Sequence, residues 1–278
     1  MNLQLYKRQD AYPITLQFAE QYGVADYFDF PFSAAAFAES LRSSSLLVVD
    51  GIALFRALNK NLVLISYRCT GTELACILSQ LVSDGYSVRT LNFVQKDFGG
   101  LCRVKYGNEF RAFDDWSTES IISNLTHHDG YKFRQAIKRG SNNYDLDDSL
   151  SLSEVMEVFE DWITFAKTRH FMVCRGHYQR YIEMYFAYKP SAVKLLGFRR
   201  RLDGALWGFI GYELFGDSAQ ITLGKHKSGD YYLSRYIWLV ALESMLADGA
   251  KICFCGSTAD ELKNQLRLIP YKSYRLKV

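Results

Sequence analysis

The chain is 278 residues long, 49% hydrophobic and 23% charged, with a net charge of +3. That composition supports a sizeable core and excludes a disordered chain, and the small net charge excludes nucleic-acid binding by bulk charge, leaving only a local basic patch. No run approaches the roughly 18 apolar residues of a membrane span, and the N-terminal stretch lacks the apolar core of a signal peptide.

Residues 1–45 read as mainly helical, because ITLQFAEQYG and SAAAFAESLRS carry apolar residues at three- and four-residue spacing. The aromatic run from Tyr27 to Phe32 between them reads as a packed connection. LLVVDGIALFRALNKNLVLISYR predicts two or three strands turning at Asp50-Gly51 and Asn59-Lys60-Asn61. Thr70-Gly71-Thr72 then opens a helix with a stripe at Leu74, Ile77, Leu78, Leu81 and Val82. Gly85 ends it before the strand YSVRTLNFV, and GLCRVKYGNEFRAFD predicts a hairpin turning at Gly107-Asn108.

A polar segment follows. YKFRQAIKRG reads as a short helix with Lys132, Arg134, Lys138 and Arg139 along it. That cluster is either a solvated face or a contact for an anionic substrate. Ser151-Leu152-Ser153-Glu154 is a capping box for a long amphipathic helix, and GHYQRYIEMYFAY is a second helix, on which His177 reads as structural. LLGFRRRL, Asp203-Gly204 and ALWGFIGYEL form a hairpin, and Gly216-Asp217 turns the chain into AQITLGKHK. A basic loop, Lys225 to Asp230, opens onto the helix YYLSRYIWLVALESMLADG, and KICFCGS reads as a buried strand. Such a loop at a helix N-terminus can hold phosphate, with Lys225, Lys227 and Ser228 adding side-chain donors, or it is simply a solvated connection. Cys253 and Cys255 are expected in the core; no metal is expected, and the six cysteines suit a reducing cytoplasm.

The two halves repeat one architecture: strand, turn, strand, loop, helix, Asp-Gly, strand. The boundary is expected within 115–150. The division reads as an N-terminal unit over 1–125, a basic linker over 126–150 and a C-terminal unit over 151–278.

In the second half the order of elements resembles the GNAT acyltransferase fold, and more narrowly the Fem-like, BioF2-like and lysyl-phosphatidylglycerol synthase C-terminal domains. The resemblance rests on Lys167-Thr168-Arg169-His170 with HYQRYIEMYF, on DGALWGFIGYEL, on the loop, helix and strand from Lys227 to Gly256, and on ADELKNQLRLIPYKSYRL, where Leu262, Lys263 and Pro270 fall in matching places. KFRQAIKRG also resembles the basic helix that joins the halves in that family.

The resemblance implies an α/β (α+β) fold of two tandem GNAT-like units, each a mixed, mostly antiparallel twisted sheet flanked by helices. It implies transfer of an acyl group from acetyl-CoA or another acyl-CoA onto an amine or hydroxyl of a small molecule, lipid or macromolecule. The donor set is then Leu223, Gly224, Lys225, Lys227, Ser228, Gly229, Ser234 and Arg235, with Lys132, Arg134, Lys138 and Lys263 toward the substrate. The loop has only Gly229 where the family's pyrophosphate loop has two glycines, which leaves room for an aminoacyl-tRNA donor or a nucleic-acid acceptor. A non-catalytic binding protein on this fold is the reading from another class.

Glu213 is the first candidate base, either buried on a central strand or exposed at its end. His226 and Asp230 follow, and Tyr236 is a candidate acid. In such folds the last meander strand and the strand after the helix splay apart to admit the donor. Only the second unit is expected to bind ligand.

Overall fold

The computed structural model describes residues 1–24, 29–41, 43–90, 92–93, 102–113, 117–168, 175–256, 260–266 and 268–276. Tyr27, Phe28, Arg169 and His170, singled out above, lie outside them. The chain divides into two compact units. The first holds Met1–Glu109, Gly176–Tyr181 and Tyr271–Val278; the second holds Phe110–Arg175 and Ile182–Pro270.

In the first unit β1 (Leu3–Tyr6) precedes α1 (Ala11–Tyr22) and α2 (Pro31–Ala38). Then come β2 (Ser45–Val49), β3 (Ala53–Leu58), β4 (Asn61–Tyr67), α3 (Gly71–Ser83) and β5 (Ser87–Thr90). The sheet runs β1-β2-β3-β4-β5, with β4 and β5 the parallel pair. Strand β1 was not expected in a segment read as helical. It forms because LQLY finds the free edge of β2, Leu3 opposite Val49 and Tyr6 opposite Leu46. The turn at Asp50-Gly51 takes positive φ at both residues, 50° and 72°, as a tight hairpin requires. Leu74, Ile77, Leu78 and Leu81 pack against Phe55, Leu62 and Leu64, while Val82 of the expected stripe is exposed.

Strand β6 (Asn92–Phe93) is followed by β7 (Cys102–Phe113). The hairpin expected at Gly107-Asn108 is instead one continuous strand. Its last residues are claimed by a partner remote in sequence, Phe113 pairing with Ile252 and Arg111 with Phe254.

The second unit continues with α4 (Thr118–Asn124), α5 (His127–Asn143), β8 (Tyr144–Asp147), α6 (Leu152–Thr168) and α7 (Arg175–Tyr188). The meander is β9 (Val193–Arg200), β10 (Leu206–Phe215) and β11 (Ser218–His226). Then follow α8 (Leu233–Ala247), β12 (Ile252–Phe254), α9 (Asp260–Gln265) and β13 (Ile269–Leu276), whose far end pairs with β6 in the first unit. Within the second unit the strand order is β7-β12-β11-β10-β9-β8, and β11–β12 is the parallel pair. Both units thus repeat hairpin, helix and parallel strand.

Helix α5 lies in the stretch read as a basic linker over 126–150. Phe133, Ala136 and Gly140 recur on one face, are buried, and seat the helix on α8. A Cβ at Gly140 would lie 2.2 Å from Cγ of Tyr236. Alanine normally stabilises a helix interior by about 0.5–1 kcal/mol over glycine. Here the sign reverses: Gly140→Ala is expected to cost about 1–3 kcal/mol in urea unfolding, since the Tyr236 ring must move. A stabilised variant would refute this packing.

Candidate active site

Strand β12 is only three residues long, and it pairs with β11 at Ser218, Ala219 and Gln220. The β11–β12 register pairs end at Gln220, and β11 runs on to His226 while β12 ends at Phe254. Strands that part in this way leave an edge that an extended amide-bearing chain can pair with. Gln220 stands at the vertex, fully buried.

Glu213 lies across from Gln220 on β10, 1% exposed, and accepts from Gln220 Nε2 at 3.2 Å. Of the two placements open in sequence, the carboxylate takes the buried one. The β10–β11 register shifts between Gly211 and Tyr212, and Thr222 turns its hydroxyl onto the Gly211 carbonyl at 2.9 Å. Gln220 and Thr222 were missed as site residues. Their signal was two polar residues alternating with Ala219 and Ile221 in an otherwise apolar strand.

At the open end of β11, Leu223 is buried and a Cβ at Gly224 would lie 3.1 Å from Ile210 Cδ1. Lys225 Nζ lies 3.9 Å from the centroid of the Trp162 ring on α6, and burial pulls its pKa down to about 8. An amine held below its ordinary value of 10.5 binds its proton less well in the folded chain. Stability therefore rises with pH between about 8 and 10.5, by up to about 3 kcal/mol, and Lys225→Met should remove that rise. Urea midpoints across this range check it; an unchanged slope in the variant would count against a buried ammonium.

The loop is drawn down onto α6. Lys227 pairs with Glu157, and the Ser228 amide donates to Asp161 Oδ2 at 3.2 Å. Gly229 is exposed with φ +111°. His226 Nδ1 lies 2.9 Å from the Lys227 carbonyl, and burial lowers its pKa.

Asp230 is engaged structurally. Its Oδ1 accepts from the Tyr232 and Leu233 amides at 2.9 and 3.2 Å, and its Oδ2 from the Tyr144 hydroxyl at 2.9 Å. A carboxylate thus sits on the first amides of α8, the position where a pyrophosphate was expected. Tyr236 packs against Gly140 and edge-on to Phe198 at 5.8 Å, on the core side of α8.

Ser234 is partly exposed and Arg235 buried in the first turn of α8. Lys263 is fully buried, with its ammonium on the Gly256 carbonyl beyond β12 and 5.6 Å from the Trp238 ring centroid. Lys132 pairs with Asp129 at 3.6 Å, and Arg134 and Lys138 are exposed. Arg139 stacks 4.6 Å over the Tyr232 ring centroid, at a pocket of about 390 Å³ that Arg200, Trp207 and Tyr144 also line. The nearby Arg199, Arg200 and Arg201 are each paired, with Asp147 and Glu154, with Asp203, and with Asp145.

Cys253 and Cys255 are buried in the core of the second unit. In the first unit, the equivalent turn at Thr70 is closed by a capping box with Glu73. No helix among the described residues is long and apolar enough to cross a membrane.

No family model matches the chain, and no curated protein matches it in sequence. Solved structures do. L-PGS from Bacillus licheniformis is similar over 94% of this chain and 90% of its own, at 13% identity and a TM-score of 0.64. FemX is similar over 100% of this chain and 98% of its own, at 9% identity and a TM-score of 0.61. A tandem GNAT protein from the clavulanic acid biosynthesis pathway is similar over 99% of this chain and 97% of its own, at 11% identity and a TM-score of 0.50. The fold of this chain is accordingly that of two tandem GNAT-like units, shared with L-PGS and FemX.

Proposed function

We propose that the chain is an acyltransferase that moves an acyl group onto an amine or hydroxyl acceptor. The observation that carries this reading is the parting of β11 from β12, with the buried Gln220 and Glu213 at its vertex. A donor's amide arm laid along Ile221–His226 would bring its carbonyl to that vertex. The acceptor nitrogen or oxygen then attacks the carbonyl carbon, and the bond to the donor's sulfur or oxygen breaks. The acceptor's proton passes to Glu213, and the leaving group takes up a proton in turn. Holding both substrates in line supplies much of the acceleration.

Acyl-CoA, acetyl-CoA first, is the donor to test. An aminoacyl-tRNA donor is the second reading, and Asp230 favours it. Its carboxylate already fills the first amides of α8, so a pyrophosphate there would meet like charge. The likeness to FemX and L-PGS, over nearly the whole chain, agrees with that reading.

The test is donor consumption. The protein is incubated with labelled acetyl-CoA, and separately with a mixed aminoacyl-tRNA pool, in the presence of amine, lipid and nucleic-acid acceptors. Acceptor-dependent loss of label from one donor identifies it. Binding of a donor without turnover, under every acceptor, would replace the enzyme reading with that of a binding protein.

A further inference from the structure

The pocket of about 390 Å³ in the second unit has the size of a small-molecule site. Its wall is drawn from the end of α5 at Arg139, from Tyr144 on β8, Arg200 on β9 and Trp207 on β10, and from Asp230 and Tyr232 in the loop before α8. The charges and the rings of that wall narrow what it can take.

Arg200 already has a counter-ion, since Asp203 accepts from its Nε at 3.0 Å and pairs with Nη2. Arg139 is exposed and stacks 4.6 Å over the Tyr232 ring centroid; among the described residues it forms no ion pair. Asp230 likewise pairs with no cation among the described residues. Its donors are the Tyr232 and Leu233 amides and the Tyr144 hydroxyl, all neutral. A carboxylate has about four acceptor positions, so Oδ2 keeps room for a further donor. The pocket thus presents a guanidinium without a carboxylate and a carboxylate without a cation. A phosphate dianion would meet the like charge of Asp230, and a simple amine would leave Arg139 unanswered. A zwitterion answers both. The rest of the wall is aromatic. Trp207 has the Arg200 guanidinium 4.1 Å from its ring centroid and the Tyr144 ring at 6.5 Å, and Tyr231, 59% exposed, lies edge-on to Tyr232 at 5.3 Å. Rings of this kind take a flat apolar side chain.

We infer that this pocket binds a free α-amino acid with an aromatic side chain, its carboxylate on Arg139 and its ammonium on Asp230. A planar guanidinium matches a carboxylate through paired N–H donors. An ammonium held against a carboxylate keeps its proton and is no nucleophile, so the pocket holds the amino acid without presenting it for acylation. The inference does not rest on the acyl-transfer reading.

The test is calorimetric titration of the full chain, with no acyl donor present. The ligands are L-phenylalanine, L-alanine, which lacks the ring, phenethylamine, which lacks the carboxylate, and 3-phenylpropionate, which lacks the ammonium. Wild type is expected to bind L-phenylalanine saturably and each of the others at least about tenfold more weakly, the loss of one charged or ring contact. Arg139→Gln changes an exposed side chain, so the Tm should hold. It is expected to lose the preference for L-phenylalanine over phenethylamine. Asp230→Asn keeps an acceptor for the α8 amides and is expected to lose the preference for L-phenylalanine over 3-phenylpropionate. Should that variant melt lower, Arg139→Gln decides alone.

The inference is overturned if neither L-phenylalanine nor L-tryptophan gives saturable heat with wild type. Equal binding of phenethylamine and L-phenylalanine by wild type overturns it too, since the pocket would then recognise an amine alone. So does wild-type affinity for L-phenylalanine in Arg139→Gln, which would place the binding elsewhere. Absence of any acyl turnover would defeat the acyl-transfer reading and leave this binding unaltered.

Discussion

Glu213→Gln is expected to lower the rate of acyl transfer by about 10²- to 10⁴-fold, the usual loss when a general base is removed. Glutamine has the shape of glutamate and can still face Gln220, so the Tm and the donor affinity should hold. The argument rests on placement. Glu213 is a buried carboxylate in the middle of a sheet, where strands of a soluble core carry apolar side chains. Gln220, which donates to it, is itself at the vertex of the gap. In the proposed reaction Glu213 takes up the proton of the incoming acceptor, a role that suits a buried carboxylate beside the parting strands. Measuring kcat, donor affinity and Tm together decides it. A fall in Tm that accompanies the fall in rate would make Glu213 a structural residue, and unchanged turnover would remove it from the mechanism.

The largest loss of stability is expected in the first unit, from Arg180→Met. Glu39 is fully buried, and Arg180 holds one of its oxygens from both Nε, at 2.7 Å, and Nη2. Removing the guanidinium takes from a buried carboxylate the cation that faces it, which costs about 3–5 kcal/mol. The double variant Arg180→Met with Glu39→Leu should recover most of that loss, because it removes both charges and leaves an apolar pair. Urea unfolding of the two singles and the double gives the coupling directly. A single-variant cost below about 1 kcal/mol, typical of an exposed pair, would show that water reaches the carboxylate.

Elements whose cause is local could be read from the chain. Asp203-Gly204 and Gly216-Asp217 turn as expected, with φ of 69° and 60° at the glycines. Ser151 and Glu154 cap each other across the start of α6, the Glu154 amide donating to Ser151 Oγ at 3.3 Å. Elements whose cause is remote could not. The residues around Gly107-Asn108 look like a turn until Ile252–Phe254 is placed beside Arg111–Phe113. Gly140 on α5 gives no local sign of why it must be small, and only the Tyr236 ring of α8 shows the reason.

The candidate site divides in the same way. Glu213 could be singled out, but its burial depended on which face of β10 meets α6. Asp230 had the residue type of a base, and its carboxylate accepts from the amides of Tyr232 and Leu233 and from the hydroxyl of Tyr144, partners that no local pattern announces.

The shortness of β12 also bears on the order in which the chain comes together. Strands β9, β10 and β11 are joined by tight turns and can zip early and locally. Strand β12 must instead be held between β11 and the end of β7, a partner made far earlier in the chain, by three residues on each side. The vertex is thus non-local and only shortly laddered. Its amides should be the first of the central strands to exchange with solvent, and a ligand that bridges the gap would act as the missing rungs.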